Sequence, residues 1–278
     1  MVELGNINRL RVVKSVDFGF YLDGEQFGEI LLPKRYAPED LQINEWLEVF
    51  LYLDSEDRII ATSEIPLATV GQCGYLKVIE VNEVGAFLDW GLPKDLLVPF
   101  SNQINPMEVG RSYTVYLYLD DKTQRIVASP KLNKFLDKAP INYYPNQAVQ
   151  LLIWERTDLG TMAIINHRHT GLIFTDDQFK PIKAGDCMTG YIKNIRPDGK
   201  IDLSLQLQGQ EARDHLATQI LAYLEANGGL SSITDKSPPE VIYKQFSASK
   251  GNYKKALGKL YKERLITIEK DKITLVKQ

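Results

Sequence analysis

With 278 residues and 44% of them hydrophobic, the chain is long enough for two to four packed domains. Its two cysteines, Cys73 and Cys187, are too few for a disulfide framework and suit a reducing compartment. With no signal-peptide pattern and no run of about 18 apolar residues, the expectation is a cytoplasmic protein with no membrane segment. The net charge of −3 hides an asymmetry: residues 1–140 carry 14 Lys and Arg against 21 Asp and Glu (−7), residues 141–278 carry 19 against 15 (+4). The second half therefore attracts a polyanion and the first repels one.

Taken in order, the elements repeat. In the first copy, Phe18 to Asp23 alternates around Gly19, and Val49-Phe50-Leu51-Tyr52-Leu53-Asp54 reads as a later strand. The second copy lies 66 positions on: Val115-Tyr116-Leu117-Tyr118-Leu119-Asp120 answers the later strand, Gly85 answers Gly19, Phe87 answers Tyr21, and Pro99 answers Pro33. Its strands are predicted at Tyr75 to Val81, Gly85 to Trp90, Leu96 to Val98, Tyr113 to Leu119 and Arg125 to Ala128. Gly91, Pro93, Asn105-Pro106, Gly110 and Asp120-Asp121 form turns between them. A third copy follows at an offset of 75, where Gly160 answers Gly85 and Lys200 answers Arg125. Five short strands in about 65 residues fit a five-stranded Greek-key barrel of the oligonucleotide-binding (OB) kind. The expected fold is mainly β with a C-terminal α+β domain: three tandem OB barrels over residues 1–66, 67–140 and 141–208, then a winged helix over 209–278.

From Glu211 the spacing becomes helical, through Leu216, Ile220, Tyr223 and Leu224, and Asn227-Gly228-Gly229 stops the helix. Leu230 supplies a short strand. Ser237 caps a second helix that opens with Pro238-Pro239-Glu240 and runs through Phe246. Ser247-Ala248-Ser249 caps a third, with Tyr253, Ala256, Leu257, Leu260 and Tyr261 on its apolar side. Ile266 to Ile268 and Lys272 to Val276 form the wing. The third helix carries Lys250, Lys254, Lys255, Lys259 and Lys262, with Arg264 at its end and Glu263 the sole acid. Such a cluster reads either as a solvated face or as a set of phosphate contacts. Among its polar residues only Asn252 suits reading a base edge.

The pleat sorts the barrel residues. Phe20, Leu22, Ala86 and Leu88 point inward, whereas Phe18, Tyr21, Phe87 and Asp89 lie on or near the outer face. An outward aromatic beside a cation suits a single-strand binder, because bases stack on the ring and phosphates pair with the charge. Packing between barrels is the competing role, and Tyr52, Tyr116 and Tyr118 on strand four fit it equally well. His167 and His169 could share a strand face, but they lack a third ligand and a Cys-x-x-Cys. No metal or other cofactor is expected, and the pair is read with Arg168 as a hairpin meeting RNA. No P-loop, dinucleotide glycine pattern or nucleophile elbow occurs, so no catalysis is expected.

Gly74 through Asp89 resembles the opening of the RNA-binding module named after ribosomal protein S-one, and Asp54 to Thr62 and Asp120 to Ser129 resemble its closing strand. The resemblance is strong in the second copy and weakest in the third. Three such modules followed by a winged helix resemble the bacterial family of conserved virulence factor B. The resemblance implies that Phe18, Tyr21 and Phe87 are stacking aromatics and that Arg58 and Arg125 are the basic residues of the last strand, with Lys200 at the corresponding place in the third copy. The chain departs from the pattern at Val84, Leu159 and Met162, where aromatics stand in the family, and at Pro33, Pro99 and Phe174, where a histidine does. The expected function is a monomeric, post-transcriptional regulator binding single-stranded RNA. Two alternatives stay open: a DNA-binding transcription regulator, and a protein-interaction scaffold built on the acidic N-terminal barrels.

Overall fold

The computed structural model describes residues 1–137, 142–178, 181–207 and 209–276. The chain forms two compact units, Met1–Asp137 and Lys138–Gln278. The expected junctions after residues 140 and 208 fall at positions outside the described residues.

Unit one holds two closed barrels. The first comprises β1 (Ile7–Val16), β2 (Gly19–Asp23), β3 (Glu29–Pro33), β4 (Trp46–Leu53) and β5 (Ile59–Thr62). The second comprises β6 (Cys73–Val81), β7 (Gly85–Asp89), β8 (Leu96–Pro99), β9 (Ser112–Leu119) and β10 (Ile126–Ser129). Unit two opens with a third barrel of β11 (Ala148–Thr157), β12 (Gly160–Ile165), β13 (His169–Phe174), β14 (Cys187–Ile195) and β15 (Ile201–Ser204). All three close in the same order: first strand, second, third, fifth, fourth, with the third and fifth parallel.

Two local devices recur in register and close each barrel. The first strand is bulged between Val12 and Lys14, Val78 and Glu80, and Ile153 and Glu155. The extra residue bends the strand around the barrel. The second strand starts at Gly19, Gly85 or Gly160. There a Cβ would stand 2.3, 2.3 or 2.1 Å from the carbonyl oxygen of Leu32, Val98 or Ile173 on the third strand. No side chain fits that approach, which is why the repeat keeps glycine at this position.

The interior follows the alternation. Leu22, Ile30, Leu32 and Leu51 fill the first barrel and Leu76, Leu88, Leu96 and Leu117 the second, each fully buried and each stabilising by about 1.5–3 kcal/mol. The barrels of unit one also share a core. Phe50 and Tyr52 of β4 are buried in the second barrel's cluster, with the Trp90 ring edge-on to Phe50 at 5.6 Å. The Trp90 indole N–H donates to the Lys94 carbonyl at 2.6 Å. Tyr52 is therefore interbarrel packing, and burial, reinforced by nearby Tyr36, pushes its hydroxyl up to about 12. Tyr116 and Tyr118 are covered instead by Phe135, at 4.6 and 4.8 Å between ring centres.

The winged helix comprises α1 (Gln210–Ala226), β16 (Leu230–Ser231), α2 (Pro239–Phe246), α3 (Lys250–Lys262), β17 (Ile266–Ile268) and β18 (Ile273–Leu275), with the sheet ordered β16-β18-β17. Gly229, in a left-handed conformation, donates to the Leu224 carbonyl at 2.7 Å and ends α1. Ser249 caps α3 by accepting from the Asn252 N–H at 3.2 Å. Two details differ from expectation. Ser237 does not cap α2: Pro238 holds that place, while the Ser237 hydroxyl accepts from Thr234 N–H at 2.9 Å. Tyr261 is 57% exposed rather than on the apolar side, because Tyr253, Ala256, Leu257 and Leu260 already fill the face that meets the core.

Candidate nucleic-acid interface

On the first barrel, Phe18 stands 59% exposed where the chain turns from β1 into β2. It meets the half-buried Tyr21 edge to face at 6.4 Å, and the Lys14 ammonium lies over the Tyr21 ring at 5.5 Å. Lys14 was not legible as a site residue: it pairs with Tyr21 across the hairpin only because the bulge shifts the register by one. Arg58, just before β5, is held by Asp54 at 2.8 Å and Glu56 at 2.9 Å, and the Asp54 contact raises its pKa.

On the second barrel, Phe87 lines a cavity of about 270 Å³ with Val84, Trp90, Lys94 and Arg125, and with Tyr52 and Asp57 of the first barrel. Arg125 is not free: its guanidinium is ion-paired with Asp57, and Lys94 Nζ lies 3.6 Å from the same carboxylate. The hydrogen bond from Arg125 holds the Asp57 carboxyl below its usual range. Asp95 also lines this cleft, and its own carboxyl is pushed up by burial and by neighbouring Asp89 and Glu80.

In unit two, Lys200 is paired with Asp198 at 3.0 Å. His167 and Arg168 sit in the turn between β12 and β13, whereas His169 begins β13. Of the expected pair, His169 does not reach the surface. His169 is only 4% exposed and shares a hydrogen bond with the Tyr143 hydroxyl at 3.0 Å, because alternation from Gly171 and Ile173 turns it to the interior. Sequence reasoning also missed Arg196, whose guanidinium lies 5.3 Å from the Phe174 ring centre and is paired with Asp202 at 2.7 Å.

The lysines of α3 divide. Lys254 and Lys255 are exposed, and among the described residues no ion pair engages either. Lys250 donates to the Lys236 carbonyl at 3.3 Å. Lys259, expected as a phosphate contact, is instead tied to Asp214 of α1 at 2.6 Å, with Glu263 at 3.7 Å, and the bond to Asp214 raises its pKa. Asn252 is likewise engaged, its amide donating to Gln206 Oε1 at 2.7 Å. Gln206 in turn donates to the Ser247 carbonyl at 2.9 Å. These bonds fasten the end of the third barrel to α3 within unit two.

Beside them lies a cavity of about 320 Å³ lined by Tyr191, Gln206, Arg213, His215, Gln219, Asn252 and Lys255, with no carboxylate in its wall among the described residues. Two cations, three amides and an aromatic ring can hold a phosphate and hydrogen-bond a base. Among the described residues, no cluster of three or more His, Cys, Asp or Glu could hold a metal, and no helix is long and apolar enough to cross a membrane.

Known proteins match most of the chain. The S1 domain model matches residues 4–64 and 70–130, and the CvfB-like winged helix domain model matches residues 218–275. YitL of Bacillus subtilis strain 168 is 28% identical over 91% of this chain and 87% of its own. Conserved virulence factor B of Staphylococcus saprophyticus is 25% identical over 99% of this chain and 95% of its own, and that of Staphylococcus aureus strain N315 is 24% identical over the same shares. A solved multidomain protein with nucleic acid binding domains from Streptococcus pneumoniae is 26% identical over 98% of each chain, at a TM-score of 0.40.

Proposed function

The chain belongs to the conserved virulence factor B family, and from that premise we propose that it binds single-stranded RNA chiefly through unit two and acts as a cytoplasmic, post-transcriptional regulator. It is a binding protein without cofactor, not an enzyme. The observation that carries this reading is the cavity between the third barrel and α3, whose described lining holds the cations Arg213 and Lys255 and no carboxylate. The surplus of +4 in residues 141–278 supports the same placement. Single strands are favoured over duplex because α3 presents lysines, which position without reading sequence, and because its one base-reading side chain, Asn252, is engaged by Gln206.

The test compares a labelled single-stranded RNA, its DNA counterpart and duplex DNA by fluorescence anisotropy at several salt concentrations. The single-stranded RNA binds tightest. Arg213→Ala with Lys255→Ala weakens it and lowers the log–log salt slope by about 1.4, some 0.7 per lost contact. A tight, sequence-specific duplex site abolished by the same changes would replace this reading with a transcription regulator.

A further inference from the structure

The cleft of unit one already has an occupant. Beside the Phe87 ring stand the two cations that could seat a phosphate, Lys94 and Arg125, and between them lies the carboxylate of Asp57, delivered by the turn between β4 and β5 of the first barrel. Arg125 Nη2 donates to Asp57 Oδ2, and Lys94 Nζ lies 3.6 Å from Oδ1 while also donating to the Asp54 carbonyl at 2.5 Å. An anion bridging a guanidinium and an ammonium next to an aromatic ring is the arrangement a nucleotide phosphate would adopt.

The turn is built to hold the acid there. Asp57 has a φ of 60°, left-handed backbone that Asp and Asn adopt more readily than other side-chain-bearing residues. Its N–H donates to the Asp54 carbonyl at 3.1 Å, and the Asp54 carboxylate accepts from the N–H groups of Glu56 at 2.8 Å and Arg58 at 3.0 Å. The shared core of Phe50, Tyr52 and Trp90 fixes the barrel carrying the turn against the barrel carrying the cations. The contact is therefore a fixed part of unit one.

We propose that Asp57 is an internal stand-in for phosphate, so that the first barrel masks the nucleotide site of the second. A single strand enters by laying a base on Phe87 and exchanging one of its phosphates for the Asp57 carboxylate on Arg125 and Lys94. This rests on the reading that the chain binds single strands, but it concerns a different unit. It also gives the acidic first half a role: it holds the second barrel silent while unit two is filled.

The test uses the full chain and an oligonucleotide containing 4-thiouridine, photo-cross-linked and mapped by mass spectrometry. Asn tolerates the left-handed turn, so Asp57→Asn removes the charge and keeps the backbone, which an unchanged thermal midpoint verifies. In the wild type, cross-links fall mainly on peptides of unit two. Asp57→Asn raises the yield on the peptides carrying Phe87 and Arg125 about two- to fivefold, the range an exposed ion pair governs, and leaves the α3 yield unchanged. Adding Arg125→Gln, which removes the seat rather than the occupant, returns the yield to the wild-type level. Cross-links confined to unit two in both the wild type and Asp57→Asn overturn the masking alone, whereas absence of cross-links anywhere overturns the RNA reading as well.

Discussion

Lys255 and Lys259 lie about one turn apart on α3, and their sequence surroundings do not distinguish them. The structure assigns them opposite consequences. Lys255 lines the cavity of unit two without a paired carboxylate among the described residues, whereas Lys259 is neutralised by Asp214 at 2.6 Å and Glu263 at 3.7 Å. Each is replaced singly by alanine in the full chain. A lysine that neutralises one phosphate of a single strand contributes about 0.7 to the log–log salt slope, so Lys255→Ala lowers the slope by that amount. Between 50 and 200 mM KCl the affinity lost by this variant is then about 2.6-fold smaller than the wild type loses. Lys259→Ala keeps the wild-type slope and lowers the thermal midpoint instead, since it cuts the tie between α1 and α3. Anisotropy titrations of a labelled oligouridylate at five salt concentrations measure the slope, and a melt measures the midpoint. Equal slope losses for the two variants would refute the division of the lysine face.

The shared core of unit one makes a second prediction. Trp90, 3% exposed, costs about 3–5 kcal/mol on truncation to alanine, and a double-mutant cycle with Phe50→Ala returns a coupling of about 0.5–1.5 kcal/mol for the edge contact. Both barrels of unit one lose their midpoint together, by roughly 10–17 °C; a first barrel still melting at its wild-type temperature would show that the core is not shared. The thiols make a third prediction. Burial pushes the Cys73 thiol up to about 12 while Cys187 is exposed, so a thiol reagent at pH 8 modifies one equivalent in the native protein and two after denaturation. Cys187→Ser abolishes the native equivalent.

The repeat was readable because its markers answer to strict geometry. Gly19, Gly85 and Gly160 recur because a neighbouring carbonyl leaves no room for a Cβ, and Leu22 and Leu88 recur because period-two alternation turns them inward. The outward aromatics were less readable, since whether a ring meets solvent or another module depends on partners distant in sequence. Phe18 remains at the surface, Tyr52 is buried by the second barrel, and Phe87 is half covered. The cations were least readable. Arg125 and Asp57 stand 68 positions apart and Lys259 and Asp214 45 apart, so no local pattern announces that their charges cancel. His169 misled because counting strand faces requires knowing where the turn ends: residues 166–168 are turn, and the strand starts on an inward position.

Phe135 has a consequence for assembly. The fourth strand of each barrel offers an aromatic at the same place, Phe50, Tyr116 and Tyr191. The first is covered by the next barrel, the second by the Phe135 ring, and the third faces the cavity beside α3. Such a port, filled by whichever module follows, is a directional coupling: head to tail, with nothing in its geometry to stop after two members. Within unit one, Phe135 is what closes it: its ring stands 4.6 Å from Tyr116 and 4.8 Å from Tyr118, in the place that the second barrel takes over Phe50, so the series ends on a single side chain of the chain itself, as a capping repeat ends a solenoid.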